Sequence, residues 1–279
     1  MTYTERRPSA ILRPFVECIW TLSGAASEAV ASPERILPDG CIELIFHRGN
    51  PFRRLGQLQP RCFVVGQMIE PAFVEMSSRI EVIGIRFHPG GTYPFFTFPM
   101  QELSHRFIPV AEVWGPLGRE LQEKVLDAAS IRDAIRMVVR ELERRLISAD
   151  VVTNRAQFLA SVQVRQHGTL SVRDLARQGG LSERQLEREF NDVVGLTPKL
   201  FARILRFQRV FDALEKDAKW VDIAFECGYY DQAHLIADFR QFAATTPTKF
   251  DLALFELGRH FLRTSRMSGF SKTGTESPS

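Results

Sequence analysis

The stretch that decides the fold is Leu175-Ala176-Arg177-Gln178-Gly179-Gly180-Leu181-Ser182-Glu183-Arg184-Gln185-Leu186-Glu187-Arg188-Glu189-Phe190, closed by Gly195-Leu196-Thr197-Pro198. Its signals return in order as Ala224, Gly228, Leu235, Phe239 and Thr246-Pro247. The offset is 48 positions at the alanines and 49 from the leucines onward, so the second copy carries one extra residue. Self-similarity at a fixed spacing marks a repeated supersecondary unit. Each copy spells a short helix, a tight turn and a second helix.

Within the first copy, Ser171-Val172-Arg173-Asp174 can cap a helix. The serine oxygen accepts from an orphan N–H, and the acid three residues on favours the positive helix end. Small Ala176 lets the next helix approach, and Gly179-Gly180 stops the first where a left-handed backbone costs little. Ser182-Glu183-Arg184-Gln185 reads as a capping box that starts the second helix, on which Leu186 and Phe190 face inward at i, i+4. Ser182, Arg184, Gln185, Glu187 and Arg188 are left on the outer face. In the second copy, Asp231 is the expected cap, Leu235 and Phe239 are buried, and Gln232, Ala233, His234 and Ala237 face out. Arginine can donate two bonds to guanine and glutamine can pair with adenine in the major groove, so two such units imply a two-headed reader of double-stranded DNA.

These residues resemble the DNA-binding domain of AraC/XylS-type regulators from about Arg155 to Leu257. The match runs through Leu175-Ala176, Gly180-Leu181-Ser182, Leu186-Glu187-Arg188-Glu189-Phe190, Gly195-Leu196-Thr197-Pro198, Ile223-Ala224, Gly228-Tyr229, Phe239 and Thr246-Pro247. The resemblance implies an all-α, homeodomain-like double helix-turn-helix whose recognition helices, from about Glu183 to Phe190 and Gln232 to Phe239, enter successive major grooves. It also implies a transcription regulator, activator or repressor, with RNA polymerase as a partner. Arg188 stands where the first family motif has its arginine. Ala237 stands where the second usually has one, so the first head is expected to supply most base discrimination.

Between the copies, Thr197 is the expected N-cap and Pro198 falls in the first turn, where its missing N–H costs nothing. Leu200, Ile204, Phe207, Phe211 and Leu214 then form an apolar stripe that predicts one continuous helix joining the heads. Gly195 is the expected C-cap of the first recognition helix; Ala244 takes that place in the second and weakens its final turn.

Charge is mild, at +3 over 279 residues, and residues 155–263 hold 16 Lys/Arg against 14 Asp/Glu. Affinity must therefore rest on a few placed cations and helix N-termini, with weak binding to random DNA. No apolar run approaches a membrane span and the first residues lack the core of a signal peptide, so a cytoplasmic location without membrane association is expected. Cys18, Cys41, Cys62 and Cys227 are widely spaced, with no C-x-x-C pair. They read as small buried hydrophobes, against both a disulfide framework and the four-cysteine zinc site of a DNA-repair methyltransferase.

The first half is of another kind. Residues 41–46, 61–65, 72–76 and 80–87 read as strands, punctuated by Pro38-Asp39-Gly40 and Pro89-Gly90-Gly91, and predict a small barrel or sandwich. Leu37-Pro38-Asp39-Gly40-Cys41, Val65-Gly66-Gln67 and Gly84-Ile85-Arg86-Phe87-His88-Pro89-Gly90-Gly91 resemble the cupin-like N-terminal domain of one subgroup of these regulators, which implies a small-molecule effector or a homodimer. Glu43, His47 and His88 offer metal-ligand chemistry without ligand spacing, so no metal or other cofactor is expected, and Tyr93–Phe98 reads as core. From about Leu117 to Leu146 one or two helices are expected, broken near Ala128-Ala129-Ser130. Their stripe of Ile131, Ile135, Val138, Leu142 and Leu146 would dock on the barrel or pair with a second subunit.

The expected organisation is α+β: a β-rich sensing or dimerisation domain over 1–116, a helical linker over 117–154, the double helix-turn-helix over 155–258, and a tail over 259–279, disordered from about 264. The leading function is a sequence-specific DNA-binding regulator rather than an enzyme. The rival is a cupin-like barrel enzyme with an appended DNA-binding module.

Overall fold

A computed structural model describes residues 1–25, 33–149, 154–214, 219–250 and 258; the expected tail from about residue 264 lies outside them. Ten strands come first: β1 (Thr2–Arg6), β2 (Val16–Gly24), β3 (Glu34–Ile36), β4 (Glu43–His47), β5 (Arg53–Arg54), β6 (Gln57–Leu58), β7 (Cys62–Val65), β8 (Ala72–Glu75), β9 (Ile80–Phe87) and β10 (Phe107–Pro109). They form a six-stranded sheet in the order β1-β2-β9-β4-β7-β10 and a four-stranded one in the order β3-β8-β5-β6. Every pairing described is antiparallel.

The period of two sorts the large sheet into two working faces. Along β9, Ile83, Ile85 and Phe87 join Leu44, Phe46 and Val64 on one face. The alternate residues Ile80 and Val82 join Trp20, Ile45 and Phe63 on the other, which meets the smaller sheet. Gly84 sits on this inner face because the Trp20 ring lies across it; a Cβ there would come within 2.0 Å of the indole. Arg86 is next in the inner row and opposite Glu43 in register. It is 1% exposed, with its Nη2 paired to Asp39 and its Nε donating to Glu43 Oε1 at 2.9 Å.

The outer face is covered by two helices. Helix α1 (Val110–Asp127) bends at Gly115, whose φ is 60°, so regular winding resumes at Pro116, beside the expected start. Helix α2 (Ile131–Ser148) begins at Ser130, whose side chain accepts from Asp133 N. The stripe docks on the sheet: Ile135, Val138, Leu142 and Leu146 are buried in the same core as Phe87 and Trp114, with Ile131 at its rim. Phe95 and Phe96, from the aromatic run, are buried there too. All four cysteines are buried free thiols.

Among the described residues the C-terminal half is helical: α3 (Arg155–Arg165), α4 (Val172–Gln178), α5 (Glu183–Val194), α6 (Pro198–Leu214), α7 (Trp220–Glu226) and α8 (Gln232–Ala243). Helices α3, α4 and α5 pack as one head, and α6, α7 and α8 as the other. The repeat holds at the level of single bonds. Leu181 N donates to Ala176 O and Tyr229 N to Ala224 O, both at 2.9 Å. Gly180 and Gly228 take the left-handed turn conformation, with φ of 63° and 78°. The extra residue of the second copy falls in the turn, where Tyr229-Tyr230-Asp231 replaces Leu181-Ser182.

Connector α6 is a single helix of 17 residues, about 25 Å long. Its apolar surface is wider than a stripe: Phe201 and Val210 are buried beside Ile204, Phe207 and Phe211, while Leu200 and Leu214 are only partly buried. The helix serves both heads, so it needs apolar residues on more than one side. Phe207 alone meets Phe211, Phe239 and Phe242 at ring separations of 5.2, 5.2 and 5.3 Å. Asp238 is completely buried on α8 and accepts from Arg203 of α6 at 3.0 and 2.5 Å, which fixes the roll of α8 against the connector. Among the described residues no helix is long and apolar enough to cross a membrane.

The two halves are docked. Gln67 Nε2 donates to Gly40 O at 3.0 Å and to Val194 O at 2.9 Å, and Ser104 Oγ donates to Gly195 O at 2.7 Å. Gln208 of α6 reaches Pro38 O at 2.5 Å, and Leu37 is buried in the C-terminal core. The last carbonyls of α5 are among those a helix cannot satisfy internally; Gly195 N takes those of Phe190 and Asn191, and the other domain takes that of Val194.

Two outcomes follow from this packing. Burial pushes the Glu17 carboxyl up to about 8; Arg86 opposes the rise, and Asp39, Glu43 and Glu5 add to it. Glu17 is thus protonated when folded and ionised when unfolded near neutrality. Its contribution to stability is full below the ordinary carboxylate range and is lost as pH rises towards about 8. Urea midpoints should fall between about pH 5 and pH 8, and Glu17→Gln should flatten that fall; an unchanged slope would remove Glu17 as its source. At the end of α8, Ala244 is left-handed with φ 51° where Gly195 has φ 84°. That conformation strains an L-residue by about 1–2 kcal/mol, offset in part by glycine's freedom in the unfolded chain. Ala244→Gly should therefore stabilise the protein by about 0.5–1 kcal/mol in calorimetry.

Candidate DNA-binding interface

Helix α5 presents its N-terminal half to solvent while its C-terminal end is held by the other domain. The capping box is complete: Ser182 Oγ accepts from Gln185 N at 3.3 Å, and Gln185 Oε1 accepts from Ser182 N at 3.0 Å. Leu186 and Phe190 are fully buried, and Ser182, Arg184, Gln185, Glu187 and Arg188 are exposed. Arg184 and Arg188 are one turn apart on the same face. Glu189, beside them, is occupied by Arg155 at 2.5 and 3.1 Å. The cap also commits one end of Gln185: with Oε1 facing Ser182, only the Nε2 donors point outward, and an adenine needs both ends of the amide.

Helix α8 has a different face on the same scaffold. Asp231 Oδ1 accepts from His234 N at 2.8 Å, which makes Asp231 the N-cap. Gln232, Ala233 and Ala237 are exposed, whereas His234 is half-buried and lies edge-on to Tyr229 at 5.3 Å. Two further residues share this surface. Arg240 is exposed one turn beyond Ala237, on the face that Ala233 and Ala237 define. Tyr230, the inserted turn residue, is 87% exposed immediately before the cap. The insertion itself was the signal for Tyr230, and the i+3 spacing from Ala237 was the signal for Arg240.

The metal-ligand types of the N-terminal half are not assembled. Glu43 is taken by Arg86 and by Trp20 Nε1, at 2.9 and 3.2 Å, and His47 Nε2 is taken by Gln59 at 3.1 Å. His88 sits past the end of β9 with its backbone N–H on Phe15 O. No cluster of three or more His, Cys, Asp or Glu able to hold a metal occurs among the described residues.

Residues 175–252 match the model of a helix-turn-helix domain, and residues 4–109 match a domain of unknown function, DUF6597. The chain is 30% identical over 103 residues to PqrA of Proteus vulgaris, described as a probable transcription factor; the match covers 37% of this chain and 84% of that protein. It is 29% identical over 119 residues to the HTH-type transcriptional activator RhaS of Klebsiella pneumoniae (strain 342), covering 41% of this chain and 43% of RhaS. ToxT of Vibrio cholerae O395, solved with (E)-4-(8-methylnaphthalen-1-yl)but-3-enoic acid bound, is a distant likeness. It aligns over 88% of this chain and 99% of ToxT, with 9% identity and a TM-score of 0.44. The duplicated three-helix heads and the match to PqrA agree: the chain belongs to the AraC/XylS family of transcriptional regulators.

Proposed function

We propose that this chain is a sequence-specific DNA-binding transcriptional regulator in which α5 and α8 read adjacent major grooves from one monomer. The observation that carries this reading is the pair of three-helix heads joined through α6, each with a capped helix whose outer face is exposed. A rigid connector fixes the spacing and roll of the two reading helices, which is what binding successive grooves on one side of a duplex requires.

Roles within the interface follow from chemistry. Arg188 and Arg184 are assigned base or phosphate contact from α5, with Gln185 donating through Nε2. Ser182 and the helix N-terminus suit a phosphate. On α8, Gln232 and Ala233 face the groove, Ala237 offers a methyl surface, and Arg240 supplies the cation that Ala237 lacks. His234 is half engaged with Tyr229, so its share is smaller. RhaS is described as an activator; by analogy this chain would act by bringing itself beside RNA polymerase, while its N-terminal domain carries the effector site. One chain holds both heads, so a homodimer is not needed for two-groove contact.

Footprinting over the DNA upstream of its own gene tests the reading. Protection of two patches one helical turn apart is the expected result, and no preference over competitor DNA would sink it. Arg188→Ala should cost about 1–3 kcal/mol of specific binding. An equal loss on specific and random DNA would make Arg188 a phosphate contact instead.

A further inference from the structure

Between the two sheets of the N-terminal domain lies a cavity of about 80 Å³, room for one small ring. Its walls are almost wholly apolar, built from side chains such as Trp20, Ile45, Phe63 and Val82. Half-buried Met68 also lines it, and a methionine adapts to irregular occupants. Three polar side chains interrupt this lining: Glu43, His47 and Gln59.

Each of the three is in a different state. Glu43 is spent on Arg86 and Trp20. Gln59 Oε1 accepts from His47 Nε2, so the Nε2 nitrogen carries the imidazole proton. That leaves His47 Nδ1 as a bare acceptor. It is buried without a hydrogen-bond partner, on a residue 1% exposed. Burial also draws the His47 pKa down to about 4, so the ring is neutral at pH 7. A buried acceptor left unmatched carries a desolvation penalty that a donor placed against it removes.

We propose that this cavity binds an uncharged, single-ring or similarly compact apolar molecule that presents one hydroxyl or N–H donor to His47 Nδ1. The proposal deepens the effector role given above to the N-terminal domain and rests on it. Charge is selected against on either side. No lysine or arginine lines the cavity among the described residues, so a carboxylate would be desolvated without a cation and would face Glu43. An ammonium would have to draw Glu43 away from buried Arg86.

The test uses the full-length protein without DNA, with phenol, anisole, toluene and benzoate as probes in calorimetric and ligand-observed NMR titrations. Phenol should bind one per chain and about tenfold more tightly than toluene or anisole, which lack a donor. Benzoate should not compete with it. His47→Phe keeps the ring volume and removes Nδ1, so phenol should fall to the level of toluene while toluene binding persists. Gln59→Met, which releases the tautomer without touching His47, should lower the phenol preference as well and serves if His47→Phe does not fold. Equal binding of phenol and toluene by the parent protein would overturn the proposal. So would benzoate as the tightest probe, a phenol preference that survives both substitutions, or no binding by a folded protein. Footprinting separates this from the regulator reading: a protein that protects its operator yet ignores phenol refutes the cavity assignment alone.

Discussion

Arg86 is the residue on which the two halves of the molecule converge. A guanidinium 1% exposed is untenable without partners. Burial works against its charge, and the Asp39 and Glu43 carboxylates outweigh that, holding its pKa raised well above the ordinary value. Each carboxylate does more than neutralise it. Glu43 also accepts from Trp20 Nε1 and lines the cavity between the sheets. Asp39 accepts from Cys41 N at 2.9 Å and so shapes the loop between β3 and β4. That loop carries Leu37 into the C-terminal core and Pro38 O onto Gln208 of α6, and it lays Gly40 against Phe201. One buried ion cluster therefore joins a cavity wall, a strand register and the surface on which the C-terminal helices sit.

The same loop region bears on α5. Gly40 O and Val194 O share the two protons of Gln67 Nε2, and Ser104 reaches Gly195 O. The orientation of α5 is thus set at its C-terminal end by the N-terminal domain, and at its N-terminal end by its own capping box. Helix α8 is set differently, by Asp238 on Arg203 and by the rings around Phe207. The asymmetry between the heads is thus one of anchorage as well as of outer-face chemistry.

Much of the C-terminal half was legible in the sequence because its signals are local. A cap, a glycine turn and an i, i+4 apolar pair lie within a few residues of each other, and their repetition fixes them twice over. Asp231 capping α8 and Ser182-Gln185 closing the box are of this kind. The N-terminal strands were legible only in part. Strand β9 announces itself through Ile80, Val82, Ile83, Ile85 and Phe87 within eight residues, but β2, its partner, carries Glu17, Thr21 and Ser23 among its apolar residues, and their logic appears only once the sheet is assembled. Glu17 faces a buried cluster and Trp20 needs the bare backbone of Gly84, a residue more than sixty positions away. Strands β5 and β6 are two residues each and rest on pairing alone.

The least legible features are those made by contact between the halves. Gln67 stands out in sequence only as the end of Val65-Gly66-Gln67, with nothing local to name its partners, yet it is 1% exposed and spans two domains. Pattern reading assigns each segment to an element, and an element's free carbonyls are invisible to it when a distant side chain supplies the donor. The same holds for His47. Its backbone N–H is satisfied by Arg61 O. Its side chain is satisfied at one nitrogen only, and which nitrogen is decided by Gln59, twelve positions on. The polarity of the cavity therefore depends on a pairing between two residues that no local rule links, and it turns a buried histidine from a core residue into an oriented acceptor.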